Sequence, residues 1–116
     1  MAEITHVKQQ TGNSVSMLFK WQGLANGDSG DAVAFSMCAD RSVQVSGTFG
    51  VGGKVVVEGS NDGISFYTLT GLQGSDLEFT TGGIEMISEI TQYIRPRVTA
   101  GDGTTSLNII ILAKGF

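Results

Sequence analysis

Apolar and polar residues alternate along most of this chain. The segment SVSMLFKW puts Val15, Met17, Phe19 and Trp21 on one side and Ser16, Leu18 and Lys20 on the other. That period of two is the pattern of a strand with one buried face. AVAFSMCA reads as a second, apolar strand. RSVQVSGTFG turns Val43, Val45, Gly47 and Phe49 inward and Gln44, Ser46 and Thr48 outward, and GVGG then suits a short hairpin into KVVVEGS. Asn61-Asp62-Gly63 is a hairpin signal, because these residues tolerate the positive φ of a tight turn. ISFYTL and LEFT follow as short strands. YIRPRVTA aligns Ile94, Pro96, Val98 and Ala100 on one side, and Pro96, which cannot donate to a ladder, places this strand at an edge or at a bulge. LNIIILAK is apolar on both faces around Ile110, the pattern of a strand covered from both sides.

GGIEMISEITQ departs from the alternation. Ile84, Ile87 and Thr91 recur at helical spacing, so one or two helical turns are expected over residues 84–90. The whole therefore reads as all-β, an antiparallel sandwich of about eight strands with turns every eight to twelve residues, and at most that one short helix. Residues 1–14 are polar, with Ile4 and Val7 as apolar anchors, and read as an N-terminal arm or a short edge strand; residues 15–116 form one sandwich domain.

Composition narrows the function. Charged residues are 16% of the 116, against about 25% in a typical soluble domain, which suggests that a partner covers part of the surface. The net charge is −4 and Lys and Arg are scattered, so no basic stripe serves nucleic acid. No apolar run approaches the ~20 residues of a membrane helix. The N-terminus lacks a signal-peptide pattern, and the single Cys38, in an apolar stretch, reads as a buried free thiol in a protein used without export.

Candidate chemistry is sparse. The only histidine, His6, lies in the arm, away from any nucleophile. One Cys and one His do not make a zinc site. Asn26, Asp28, Asp31 and Asp102 could ligate calcium, but they lack the spacing of a calcium loop and read more simply as turn residues. No catalytic residue, metal or cofactor is assigned, and the expectation is that the protein is not an enzyme.

Two resemblances add to this. GSNDGISFYTL is similar to a hairpin of discoidin-type sandwiches, with Phe66 and Leu69 at the matching aromatic and leucine positions, Phe66 packing inward. SVQVSGTFGVGGKVVVEGSNDGISFYTLTG and QYIRPRVTAGDGTTSLNIIILAKG together resemble the head decoration, or cement, proteins of tailed bacteriophages. That second resemblance implies a jelly-roll-like sandwich on the capsid exterior of a virion, made in the bacterial cytoplasm. It also implies binding between major capsid proteins as a dimer or trimer. The interface residues expected under it are Ile4, His6, Val7, Trp21, Tyr93, Arg95 and Arg97. Arg95 and Arg97 share a strand face with Tyr93 and suit an acidic partner. The alternative is a carbohydrate-binding module of a phage tail, fibre or host-attachment apparatus, which needs an exposed aromatic platform for a glycan.

Overall fold

The computed structural model describes residues 1–10 and 16–115, and in them eleven strands form two sheets. The strands are β1 (Glu3–Ile4), β2 (Val7–Gln10), β3 (Ser16–Leu24), β4 (Ser29–Gly30), β5 (Asp40–Thr48) and β6 (Lys54–Ser60). The remainder are β7 (Tyr67–Thr68), β8 (Glu78–Phe79), β9 (Gly83–Met86), β10 (Tyr93–Ala100) and β11 (Ser106–Lys114). The first sheet has the order β1-β4-β10-β6-β7, with β8 also on β6; the second is β2-β3-β11-β5-β9. Pairing is antiparallel except between β1 and β4.

From β3 onward the chain alternates between sheets, apart from the β6–β8 excursion within one of them. The pairing of first with last strand in β3-β11-β5-β9 and the matching order β4-β10-β6-β7 are those of a jelly roll. The period-two faces meet between the sheets, where Trp21, Val43, Val57, Ile94, Ile109 and Ile111 form part of one buried cluster.

Several expectations need correction, each for a long-range reason. GVGG is not a hairpin turn: it carries the chain from β5 in one sheet to β6 in the other. Residues 32–39 form no strand; Val33 makes a single bridge to Ile94, and Val33, Phe35 and Cys38 are buried along an irregular path that turns with Cys38 N–H donating to the Phe35 carbonyl. The helical turns over 84–90 are absent. Gly83–Met86 is instead an edge strand on β5, where the open edge of that strand offers ladder bonds that a short helix rich in β-branched residues could not match. Ile87 is nonetheless buried, and its N–H donates to the Arg41 carbonyl.

Pro96 lies in an interior strand, and the irregularity of β10 falls between Val98 and Ala100. Ile94 and Val98 donate their N–H groups toward the β4 side, so Pro96, two residues from each, turns its missing donor the same way. Gly30 stands opposite, and a Cβ there would lie 2.6 Å from the Trp21 indole and 2.7 Å from Pro96 Cδ. The close approach of those two rings requires glycine at that position. The N-terminal residues are also integrated into the body: β1 extends the first sheet and β2 the second. Residues 11–14 of the expected arm lie outside the described residues.

Candidate functional site: two unlike outer faces

The outer face of the first sheet is polar and laced with ion pairs. Register places Glu58 directly across from Arg95, with Arg97 two residues along. Arg95 Nε donates to Glu58 Oε1 at 3.0 Å and Arg97 Nη2 lies 3.0 Å from Oε2, while the carboxylate itself is almost fully buried. The Arg95 guanidinium stacks on the Phe66 ring at 3.8 Å. Phe66 is therefore half-buried on this face and does not pack into the core, contrary to the inward placement expected for it. Lys54 and Glu78 add a more exposed pair at 3.5 Å.

The N-terminal segment is held by a second cluster. His6 Nδ1 lies 2.9 Å from Asp31 Oδ2, the His6 backbone N–H donates to Oδ1 at 2.9 Å, and Trp21 Nε1 donates to the same oxygen at 2.9 Å. An ionised carboxylate only accepts, so Nδ1 carries the proton. Asp28 repeats the device, accepting from Ala2 N–H at 3.0 Å and Ala25 N–H at 2.9 Å. Burial opposes the charged form of Asp31, but the bonds from His6 and Trp21 outweigh it and hold the carboxyl below its usual range. A group with a depressed folded value stabilises above its unfolded value of about 3.9 and loses that contribution as pH falls through the folded one. Asp31→Ala is expected to cost about 2–3 kcal/mol by stranding its donors, and to speed amide exchange selectively in residues 1–10 at neutral pH. Unchanged exchange in that segment would refute the latch.

The outer face of the second sheet is different in kind. Register aligns one row across all five strands, Val7, Lys20, Ile110, Gln44 and Ile84, and a second row of Gln9, Leu18, Leu112, Ser42 and Met86. The apolar members are Val7, Leu18, Ile84, Met86, Ile110 and Leu112. Val7 is 57% exposed, Ile84 65% and Leu112, on the middle strand, 38%. A depression of about 290 Å³ lies between Met86, Leu112 and Ser42, closed at one end by Asp40 and Lys114. The Arg41 side chain lies on the inner face, where the guanidinium covers Phe35 at 5.1 Å and Nε donates to the Cys38 carbonyl.

The remaining polar groups are engaged in turns. Bonds from the backbone of Ser65 and Ile64 and from the Ser60 hydroxyl pull the Asp62 carboxyl down to about 2. The Val51 N–H and the hydroxyl and N–H of Thr104 do the same for Asp102, also to about 2. Asp28, Asp31 and Asp102 thus accept from protein donors, and among the described residues no group of three or more His, Cys, Asp and Glu is arranged to hold a metal ion. Beside the Asn61-Asp62-Gly63 turn lies an open depression of about 490 Å³ bordered by Asn61, Asp62, Ser65 and Thr91, with Tyr67 73% exposed at its rim. No helix among the described residues is long and apolar enough to cross a membrane.

No protein-family model matches the chain, and no curated protein matches it. Among solved structures the fold has a clear counterpart. The chain is similar to the SPBc2 prophage-derived protein YomS. The TM-score is 0.65 over 89% of this chain and 97% of that one, at 8% identity, a likeness of fold alone. A cupin from Desulfovibrio desulfuricans overlaps at a TM-score of 0.48, with 10% identity over 95% of this chain and 82% of its own, too loosely to carry an argument.

The two sheets shared with YomS place the expected interface residues in three locations. Tyr93, Arg95 and Arg97 do share an outer face, but both arginines already hold Glu58. Ile4 packs against the core, and His6 sits with Trp21 around Asp31. Val7 points out from the opposite sheet. Trp21 has no exposed surface: its indole fills the space between the sheets, so it is a core residue and no partner reaches it while the sandwich is closed. Leu18, Ile84, Met86, Ile110 and Leu112 were not among the expected residues. Their signal is the two-sided apolar run of LNIIILAK, which implies a cover on both faces, whereas the chain supplies one only on the inner side.

Proposed function

We propose that this chain is a non-enzymatic structural protein of a phage virion, which binds the outer surface of the capsid and stabilises the shell by bridging major capsid proteins. The observation that carries the reading is a group of six apolar residues on one outer face, Val7, Leu18, Ile110, Leu112, Ile84 and Met86, interrupted on β5 by Ser42 and Gln44, opposite a face that is polar and ion-paired. Exposed apolar residues interspersed with polar ones have the composition of a non-obligate protein–protein interface. The shared fold with a prophage-derived protein and the sequence resemblance to head decoration proteins support the same reading. On the polar face, Arg97 is half-exposed and retains donors beyond the one spent on Glu58, so it suits an acidic contact on the shell.

Purified protein mixed with undecorated capsids is expected to cosediment and to saturate at a fixed copy number per capsid subunit. Absence of binding would overturn the reading. The second reading, a glycan-binding module, is favoured by one feature, the exposed Tyr67 beside the depression at Asn61 and Asp62. Saturable monosaccharide binding that disappears in Tyr67→Ala, without capsid binding, would decide for it.

A further inference from the structure

We infer that Arg41 is the receptor for a small carboxylate anion, held inside the sandwich by the two unpaired Nη groups of its guanidinium. The site lies on the inner side of the second sheet and is independent of the surfaces proposed to meet the shell.

The alternation of β5 puts Arg41, Val43 and Val45 in one inward row, so a cation occupies a core position. Arg41 is 2% exposed. Its Nε donates to the Cys38 carbonyl at 2.9 Å, and the guanidinium lies over the Phe35 ring, which stacks in turn on Phe19 at 4.8 Å. Nη1 and Nη2 are buried, and neither has a hydrogen-bond partner among the described residues. Burial pulls the Arg41 pKa below its ordinary value, but a guanidinium stays protonated inside a protein, so the charge persists.

One hydrogen bond and one aromatic face do not offset the cost of burying a charge. A well-packed apolar side chain of similar volume would stabilise this row at least as well. A cation kept at such a position, against the pattern of its strand, marks a site. No acidic side chain among the described residues completes it. Glu58 is held by Arg95 and Arg97, Asp31 by His6 and Trp21, and Glu89 by Thr70. Asp40, the neighbour in sequence, alternates to the outer face.

The free groups define the ligand. Nη1 and Nη2 of one planar guanidinium match the two oxygens of a carboxylate. Enclosure beside the Phe35 and Phe19 rings restricts that carboxylate to a compact one. The path to it runs through residues 32–39, the irregular segment that carries Phe35 and Cys38. Val33 ties it to Ile94 and the Cys38 turn closes it on itself, while Ala34, Ser36 and Met37 are exposed. A segment without a ladder opens more readily than the strands around it. The same opening bares Cys38, the single and buried cysteine of the chain.

The test is the rate of Cys38 alkylation by N-ethylmaleimide, an uncharged reagent, at neutral pH. Formate, the smallest carboxylate, is the probe and replaces chloride at constant ionic strength. Formate bound to the enclosed guanidinium holds the segment closed, so alkylation is expected to slow saturably, about tenfold at ten times the dissociation constant. Arg41→Met keeps most of the volume without the charge, and its alkylation is expected to ignore formate. Arg41→Lys keeps the charge without the planar fork and is expected to lose most of the protection. Should Arg41→Met fail to fold, the unmodified protein decides alone: its Arg41 Nε–H resonance is expected to shift saturably with formate, with the dissociation constant found from alkylation. Alkylation and an Arg41 resonance that both ignore formate would leave the Nη groups to water and overturn the inference. Equal slowing in Arg41→Met overturns it as well. Capsid cosedimentation is expected to be the same with and without formate, so the inference and the functional reading fail separately.

Discussion

Trp21→Ala is expected to destabilise the protein by about 4 kcal/mol, on the order of a 15 °C fall in Tm for a domain of this size. The indole is the largest fully buried side chain and lies between the sheets. Its loss leaves a cavity that neighbouring strands cannot close, because each is fixed by its ladder. The change also removes the 2.9 Å donor to Asp31, and with it part of the latch that holds His6 and the N-terminal strands. Trp21→Phe keeps most of the volume and is expected to cost about half as much. Urea denaturation followed by circular dichroism measures both. A midpoint that hardly moves in Trp21→Ala would return Trp21 to the surface and undo the sheet register described above. The total stability of a domain is about 5–15 kcal/mol, so the larger loss would leave a measurable unfolded fraction at physiological temperature.

Glu58→Ala is expected to cost about 2 kcal/mol. A single buried carboxylate holds two arginines whose registers on β10 place them on the same side of the sheet. Without it the guanidiniums repel one another, and Arg95 keeps only its stacking on Phe66. The arginines reach water at their outer ends, which keeps the loss below that of a fully buried pair. Glu58→Gln, which still accepts hydrogen bonds, is expected to cost about half of it. A double-mutant cycle between Glu58→Ala and Arg97→Ala is expected to give a coupling of about 1 kcal/mol that weakens with added salt. A coupling near zero would mean that the pair is screened by solvent and that Glu58 is buried for its packing alone. The same substitution frees two cations on the face proposed to meet the shell, so capsid attachment is expected to become more salt-sensitive in Glu58→Ala.

Much of the architecture was legible locally. Alternation identified the inner faces of β3, β5, β6 and β10, and Phe19, Trp21, Val43, Val45, Val55, Val57, Ile94 and Val98 from them lie in the core; Val15 lies outside the described residues. The dense turn signals identified a sandwich, and the two sheets with jelly-roll order agree. Illegible were the features that depend on which strand lies beside which. Gly-rich links look alike whether they close a hairpin, as at Asn61-Asp62-Gly63, or cross between sheets, as at GVGG. The segment around Ile84 has spacing compatible with a helical turn, and the free edge of β5 decided it as a strand. Trp21 at the end of an amphipathic octapeptide resembles an interface anchor until β3 is seen to continue to Leu24 with the indole under Gly30 and Pro96.

By itself the sequence determined that this protein is a β-sandwich and which side of β3, β5, β6 and β10 is apolar, because side-chain direction in a strand is set by the pleat and repeats every two residues. Only the tertiary structure decided that Glu58 pairs with both Arg95 and Arg97, that His6 and Trp21 meet on Asp31, and that the second apolar side of β11 faces outward beside Leu18. Those are contacts between residues far apart in the chain, and their distances are fixed by how the sheets pair and stack, which no local pattern encodes.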